Sequence, residues 1–550
     1  MPFLSRSYLR PLLLDIVASP SVSPSGDREN AVARRIVEHL ADLPYFQEHA
    51  EDLMLLPWEG DPLGRHLVFA LVRAPEGSGD TVILTGHMDV VDVKVCGPLA
   101  PLAFDAEAYT ARIGEMPMDD DAARDLASGE WLFGRGVADM KCGVTGCIGV
   151  LAEASTRRET LRTHVAVLFV PDEENSSGGM LAALPHLERL QRERGLRYLA
   201  CIDTEPSIGM GDEALARVYT GSAGKINPFF LVVGCEAHLG EYYEGLNSAA
   251  VLGELLRLAE GNPDLADEGG GEAFTPLACM KHRDLRGEYS ASIPERSVAY
   301  FSYFTASKNP CQVLDLLRSL ALEAQRNALD RQEEASARFA ARGKPRVHPR
   351  PREARVMTFE ELLSKARDRV GPEADTLVER AAREAPGDER DRALAAADAC
   401  VTLAGEKGPL VVVGFLMPWY PHRGNRGETV GDRAMLRLAS RVAAEARDRF
   451  GVALEIRPFY EGISDLSYCG YSEDPEGMEA YIRNVPAYGV DYRLPVQELQ
   501  TLHIPVLNLG PIGKDAHKHT ERIHEGYAFD VFPRMLRRAV ELVPAMYGGE

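Results

Sequence analysis

No two of the nine cysteines are spaced as CxxC, and nine thiols in 550 residues are too few for a disulfide scaffold. They fit buried thiols in a reducing compartment. No uninterrupted apolar run reaches the ~18–20 residues of a membrane-spanning helix. Positive charge is in short supply: 61 Lys and Arg against 83 Asp and Glu leave a net charge of −22. That balance excludes nonspecific attraction to nucleic acid or to anionic lipid. Internal repeats and low-complexity linkers are missing too. The opening stretch MPFLSRSYLRPLLLDIVASPS places Arg6 and Arg10 around a short apolar run, but Asp15 interrupts it and a helical pattern follows, so a helix is expected there rather than a cleaved export signal. The expectation is a cytoplasmic protein with neither nucleic acid nor membrane as partner.

What is present is ordinary globular composition, 45% hydrophobic and 26% charged, with length for two to four domains at ~100–200 residues each. Residues 28–42 carry apolar side chains at helical spacing behind Ser25, Gly26 and Asp27. HLVFALVRA (66–74), TVILTG (81–86), HVAVLFVP (164–171) and RYLACID (197–203) are compact runs rich in β-branched residues, with helical stretches at about 140–157 and 179–195. This alternation predicts an α/β fold with a mostly parallel mixed sheet flanked by helices. Near residue 217 the texture changes. KINPFFLVVGCEAHL (225–239), a helix over 247–259, RSVAYFSYFT (296–305) and a helix over 310–329 predict an inserted α+β domain. Residues 330–408, rich in Arg, Glu and Ala, are expected to form a solvated, partly mobile helical insertion within it. The chain then returns to the first pattern with a helix (430–449) and the strands VALEIRPFY and IPVLNLG (504–510). The expected boundaries are 1–216 and 428–550 for the first domain and 217–427 for the second.

Four segments with metal-ligating side chains follow apolar strands. TVILTG leads to His87-Met88-Asp89, HVAVLFVP to Asp172-Glu173-Glu174, RYLACI to Asp203-Thr204-Glu205, and IPVLNLGPIGKDA to His517. The carboxyl ends of strands in an open α/β sheet share a crevice. In GRGVADMKCG, Asp139 stands at the entrance of a helix, where the backbone dipole favours an anion. Asp139, Glu174 and Glu205 together bring −3, two divalent cations bring +4, and a bridging hydroxide closes the sum to zero. Imidazoles from His87 and His517 complete a mixed N/O set of the kind zinc accepts. A metal pair ~3.5–4 Å apart lowers the pKa of its water and polarises the carbonyl to be attacked. Asp89, two residues after His87, can accept the far imidazole N–H and fix the tautomer. Glu173, beside Glu174, can take the proton of the attacking water and deliver it to a leaving amine. Asp203 and Glu205 share one face of an extended chain, so either can be the ligand from that segment. HEGYA at 524–528 does not complete HExxH, which excludes a zincin; His519 and His524 read as surface residues.

GHMDVV, GRGVADMKCG, PDEENSSGG, DTEPS and DAHKHTE, in that order, resemble the motifs of the co-catalytic zinc metallopeptidase family. That family includes glutamate carboxypeptidase, acetylornithine deacetylase, succinyl-diaminopimelate desuccinylase, aminoacylase and carnosinase. Within it the chain is most similar to the long, arginine-utilisation-type members. The resemblance implies a catalytic domain with an inserted lid or dimerisation domain. It implies two divalent metal ions, zinc first and cobalt or manganese as alternatives. His87 and Glu205 would bind one metal, Glu174 and His517 the other; Asp139 would bridge them, and Glu173 would be the general base. It also implies a cis Asp139–Met140 peptide. GCEAHLGEYYEGLNSA resembles the lid segment whose His stabilises the tetrahedral oxyanion, which points to His238; Asn247 opens the next helix, either as its cap or facing substrate. The implied reaction is hydrolysis of an amide bond, peptide or N-acyl, in a small amino-acid-derived substrate by a metal-bound hydroxide, in a homodimer formed through the lid. Two departures stand out. AYFSYFTASKNP lacks the Arg with which many relatives grip a free carboxylate, and Thr520 replaces the usual Asn of the last motif. The missing Arg argues against a simple carboxypeptidase, and leaves open a regulatory binding protein on the same fold.

Overall fold

Four apolar runs form the parallel middle of an eight-stranded sheet. In the computed structural model, which describes residues 3–75, 79–208, 216–343, 353–471 and 473–548, the strand order is Leu53–Pro57, His66–Val72, His164–Val170, Asp80–His87, Arg197–Asp203, Val506–Asn508, Ala216–Tyr219, Leu454–Arg457. His164–Val170, Asp80–His87, Arg197–Asp203 and Val506–Asn508 run parallel. The two strands at the 53–72 edge and the Asn508–Tyr219 pairing are antiparallel. His164–Val170 is buried along its whole length, and Asp80–His87 along all but its first residue, as parallel strands covered on both faces require. The helices Gly26–Ala41, Cys142–Thr156, Gly178–Arg194, Val430–Phe450 and Phe532–Met546 supply the cover. Val144, Ile148 and Leu151 of the second of these join Leu84, Val167, Phe532 and Leu536 in one core. A small sheet of Trp131–Phe133, Arg522–His524, Ile512–Lys514 and Ser207–Ile208 adjoins the Asp139 segment.

Contacts divide the chain into two units. The first holds Met1–Ala223, Arg423–Ser472 and Pro495–Glu550, and the second Gly224–His422 and Glu473–Leu494. The second unit carries a five-stranded sheet, ordered Ala278–Asp284, Arg296–Thr305, Gly224–Val233, Leu410–Tyr420, Val356–Thr358. Residues 473–494 belong to this unit, not to the first domain as the expected 428–550 boundary has it. Their reason is aromatic: Tyr481 stacks on Phe415 with centroids 5.5 Å apart, and the Tyr492 hydroxyl donates to the Trp419 carbonyl at 3.3 Å.

The expected solvated insertion also needs correction. Val356–Thr358 adds a parallel strand to the sheet beside Val411–Val413, and the helices Phe359–Val370, Glu373–Glu384 and Glu389–Ala404 bury Leu362, Ala366, Val378, Ala382, Leu394, Ala397 and Val401. Residues 344–352 of it lie outside the described residues. The helix before it continues from Pro310 to Ala340, and the strand expected over 225–239 ends at Val233.

Candidate metal centre

Within the first unit, the expected metal ligands and Glu173 converge. His87 ends its strand, and its Nε2 lies 3.0 Å from Asp139 Oδ1, 3.4 Å from Glu205 Oε1 and 4.0 Å from Glu173 Oε2. His517 Nε2 lies 3.2 Å from Asp139 Oδ2 and 2.9 Å from Glu174 Oε2. The two oxygens of Asp139 thus face different imidazoles. Compact ligand sets occur as His87, Glu173, Glu205 and as His87, Asp139, Glu174. These sets cut across the division by imidazole; the direct N···O contacts, all but one at 3.4 Å or less, are the firmer guide to which oxygen serves which side.

Local structure aims each group. Asp139 sits in an irregular turn, Val137–Lys141, entered through Gly136 at φ 77°, and its peptide with Met140 is cis. Gly143 lets the following helix close on the Glu205 segment, since a Cβ there would stand 2.4 Å from the Thr204 carbonyl oxygen. Asp203 turns back on its own chain, its Oδ1 accepting the Thr204 N–H at 2.8 Å, while Glu205 reaches His87.

Asp89 acts differently from the expectation. His87 Nδ1 lies 3.0 Å from the Asp89 backbone carbonyl and 3.7 Å from its carboxylate. A carbonyl only accepts, so Nδ1 donates to it; with that proton fixed, Nε2 is the nitrogen that faces the carboxylates, and the one that would be left to bind a cation once its own proton is displaced. The Asp89 carboxylate accepts the backbone N–H groups of Glu173 and Glu174, both at 3.1 Å. An HxD spacing alone does not distinguish these two uses.

Arg135 and Glu521 were not anticipated, although both lie inside or beside quoted motifs. Glu521 accepts the N–H groups of Ala138 and Asp139 at 3.2 and 3.3 Å and pairs with Arg135, which donates to the His517 carbonyl at 3.1 Å. The pair ties the Asp139 turn to the His517 loop. His519 Nε2 bonds the Pro117 carbonyl, and His524 packs edge-on against Trp131.

His238 and Asn247 belong to the second unit. His238 is exposed and its Nδ1 accepts the Gly240 N–H at 3.1 Å; Asn247 caps the helix Ser248–Ala259 through the Ala249 N–H at 2.9 Å.

The electrostatics of the cluster call for positive charge. Burial alone would raise Asp139, but hydrogen bonds from His517 and His87 hold it well below the usual carboxylate range. Burial works against a charged His87, yet its bonds to Asp139 and Glu205 lift it well above the ordinary imidazole value. Bonds to Asp139 and Glu174 raise His517 to about 10. Glu173 and Glu205, buried among like charges, are pushed well up. An imidazole Nε2 on one side, a carboxylate splayed between two imidazoles and further carboxylate oxygens on each side form a mixed N/O donor set, and divalent cations meet its charge requirement. The residues therefore fit a pair of such ions. A separate cavity of about 420 Å³, lined by Val150, Leu161, Val165 and Arg537, contains none of these groups and lies by the start of the His164–Val170 strand, away from the carboxyl ends where sheet chemistry is found.

A mixed sheet whose parallel strands end in one carboxylate–imidazole cluster defines a metal-dependent hydrolase. The chain belongs to the family described as Peptidase family M20/M25/M40, whose model matches residues 83–542. It is 32% identical over 98% of its length to the uncharacterized protein YqjN of Bacillus subtilis, covering 96% of that protein. It is 29% identical over 93% of its length to protein RocB of the same organism, covering 90% of it. A tripeptidase from Staphylococcus aureus shares the fold with a TM-score of 0.51, at 13% identity, over 98% of this chain and 99% of that one. The protein is accordingly a metallohydrolase of the peptidase or deacylase type.

Proposed function

We propose that this protein hydrolyses an amide bond, peptide or N-acyl, in a small amino-acid-derived substrate. The observation that carries the reading is Asp139, one carboxylate with an oxygen toward each imidazole. On this reading His87 and Glu205 hold one divalent cation, Glu174 and His517 hold a second, and Asp139 serves both; zinc suits the donors best, with cobalt or manganese as alternatives. When bound, the pair supplies the positive charge that polarises a scissile carbonyl and acidifies a water. Glu173 takes the proton of the attacking water and passes it to the leaving nitrogen, a task served by a carboxyl that burial pushes up from its ordinary value. Asp89 keeps Glu173 and Glu174 in register with His87 through their backbone N–H groups. The family resemblance gives His238, of the same chain or of a second copy, the role of donor to the tetrahedral oxyanion; Asn247 stays with the lid helix it caps.

The lid strand Arg296–Thr305 is followed by Ala306, Ser307 and Lys308 without an Arg, which argues against the usual carboxylate clamp as the recognition element. A part in arginine utilisation, a cytoplasmic location and a homodimer formed through the second unit belong to the same reading. They rest on the resemblance to the long members.

Glu173→Ala is the decisive variant. Loaded with zinc, it is expected to keep both metals and to lose ~10²–10⁴-fold in turnover on a panel of dipeptides and N-acyl amino acids. Wild-type turnover in that variant would remove Glu173 from the base role.

A further inference from the structure

The turn that presents Glu173 and Glu174 is shaped by Asp172, and Asp172 is held in turn by Arg65, a residue outside every quoted motif. The strand His164–Val170 ends near Asp172, which adopts φ 71°. The Asp172 carbonyl accepts the N–H groups of Asn175, Ser176 and Ser177 at 3.3, 3.0 and 2.8 Å, closing the turn on itself. Its carboxylate accepts the Ser176 hydroxyl at 2.6 Å and the Gly178 N–H at 3.2 Å, which starts the next helix. A carboxylate so used has one further oxygen, Oδ1, and that oxygen accepts from Arg65 at 2.5 Å.

Arg65 is itself held from three directions. It is 5% exposed, forks onto Asp61 through Nε at 3.0 Å and NH2 at 3.1 Å, and its guanidinium lies 4.2 Å from the centre of the Trp58 ring. Glu29 Oε2 stands 3.5 Å from the nitrogen that meets Asp172. Trp58 in turn occupies the place of the Gly178 side chain: a Cβ there would sit 2.1 Å from the indole. The guanidinium is thus pre-positioned before it meets Asp172, so the ordering of a long side chain has been met by the Asp61 fork and the indole face. The backbone of Glu173 and Glu174 is consequently held by two buried carboxylates. Asp89 takes its N–H groups, and Asp172, held by Arg65, sets the turn.

We propose that Arg65 is a positioning residue for hydrolysis, fixing through Asp172 the turn on which the base Glu173 and the ligand Glu174 ride. This rests on the roles given to Glu173 and Glu174 above. A group supporting metal ligands or a base acts by angle and distance. Its loss leaves the chemistry intact but misaimed, and such supports are typically worth ~10–100-fold in metal affinity or rate.

The test uses the full chain with Arg65→Met and Arg65→Lys, and Glu173→Ala alongside. Co²⁺ titration with its visible absorption reports metal affinity and ligand geometry, steady-state kinetics on the dipeptide and N-acyl panel separate kcat from KM, and thermal melts report folding. Arg65→Met is expected to bind Co²⁺ ~10–100-fold more weakly with an altered spectrum, and to lose ~10–100-fold in kcat with KM within about threefold. A folded Arg65→Met with wild-type Co²⁺ affinity, spectrum and kcat, beside an inactive Glu173→Ala, overturns the proposal and leaves the functional reading standing; an active Glu173→Ala overturns the reading itself. Where Arg65→Met does not fold, Arg65→Lys serves. It keeps the charge but cannot fork onto Asp61 while reaching Asp172. It is expected to lose at least about fivefold in kcat, and wild-type kcat and Co²⁺ affinity in it overturn the proposal equally.

Discussion

Asp139 and Asp89 show how differently two carboxylates of one site can be used. Asp139 offers both oxygens to imidazoles, whereas Asp89 spends both on backbone N–H groups and leaves its carbonyl to orient His87. Asp89→Asn preserves volume but replaces one acceptor oxygen with an NH₂ that cannot accept. Its kcat is expected to fall ~10–100-fold with little change in KM, measured by steady-state kinetics; an unchanged kcat would mean that the turn at Asp172 suffices to hold Glu173. Residues of this kind mark the limit of what sequence discloses. The meeting of the segments that carry His87, Asp139, Glu174 and His517 was legible because each follows an apolar strand or opens a helix, and strand ends share a crevice; the choice of Glu205 over Asp203 was not, since both share one face of the same strand end. Arg65 lies 107 residues from Asp172, and Arg135 lies 386 from Glu521. No local periodicity links such partners; only the closed sheet brings them together.

Among elements, the central strands were legible as runs, because a strand covered on both faces reads as unbroken β-branched and apolar residues. The helices of 359–404 were legible as helices but not as a buried layer. Their inward faces are built largely of Ala, interleaved with charges that read as solvated, and packing against a sheet reveals itself only in three dimensions. At the start of the His164–Val170 strand, the His164 Nδ1 accepts the Ala74 N–H at 3.0 Å. Burial first, and then the charge of Arg73, holds this imidazolium below its ordinary 6.5. The neutral ring is therefore the form the fold stabilises, and its contribution is complete above that value. As pH falls below 6.5 the unfolded chain takes up the proton first, and stability declines until the folded ring also titrates. His164→Asn, with an amide oxygen to accept the same N–H, is expected to flatten this part of the decline, seen as a smaller difference between urea midpoints at pH 8 and pH 5 than in the wild type. An equal difference would show that His164 does not contribute.

For the whole molecule, the net charge of −22 includes a group of carboxylates, Asp139, Glu173, Glu174 and Glu205, gathered in one place. Metal binding should be felt as global stability, since cations that bind only the folded chain stabilise it by about 2.7 kcal/mol per site at a hundredfold excess over the dissociation constant. Melting temperature is expected to rise with Zn²⁺, Co²⁺ or Mn²⁺ and to fall with a chelator, followed by circular dichroism. Indifference to both would count against a metal centre. Division into units was legible only in outline, because the 473–494 segment joins the second unit through aromatic partners far away in sequence. One asymmetry of the centre shapes its traffic with solvent. The His517 side chain is 53% exposed and its backbone is left-handed at φ 68°, while Asp139, Glu173, Glu174, Glu205 and His87 are at most 13% exposed. With the ligands as proposed, one berth has a solvent-exposed imidazole and the other only buried ligands. The ion beside His517 would then exchange faster, and hybrid pairs of two different elements could be assembled by the order of addition.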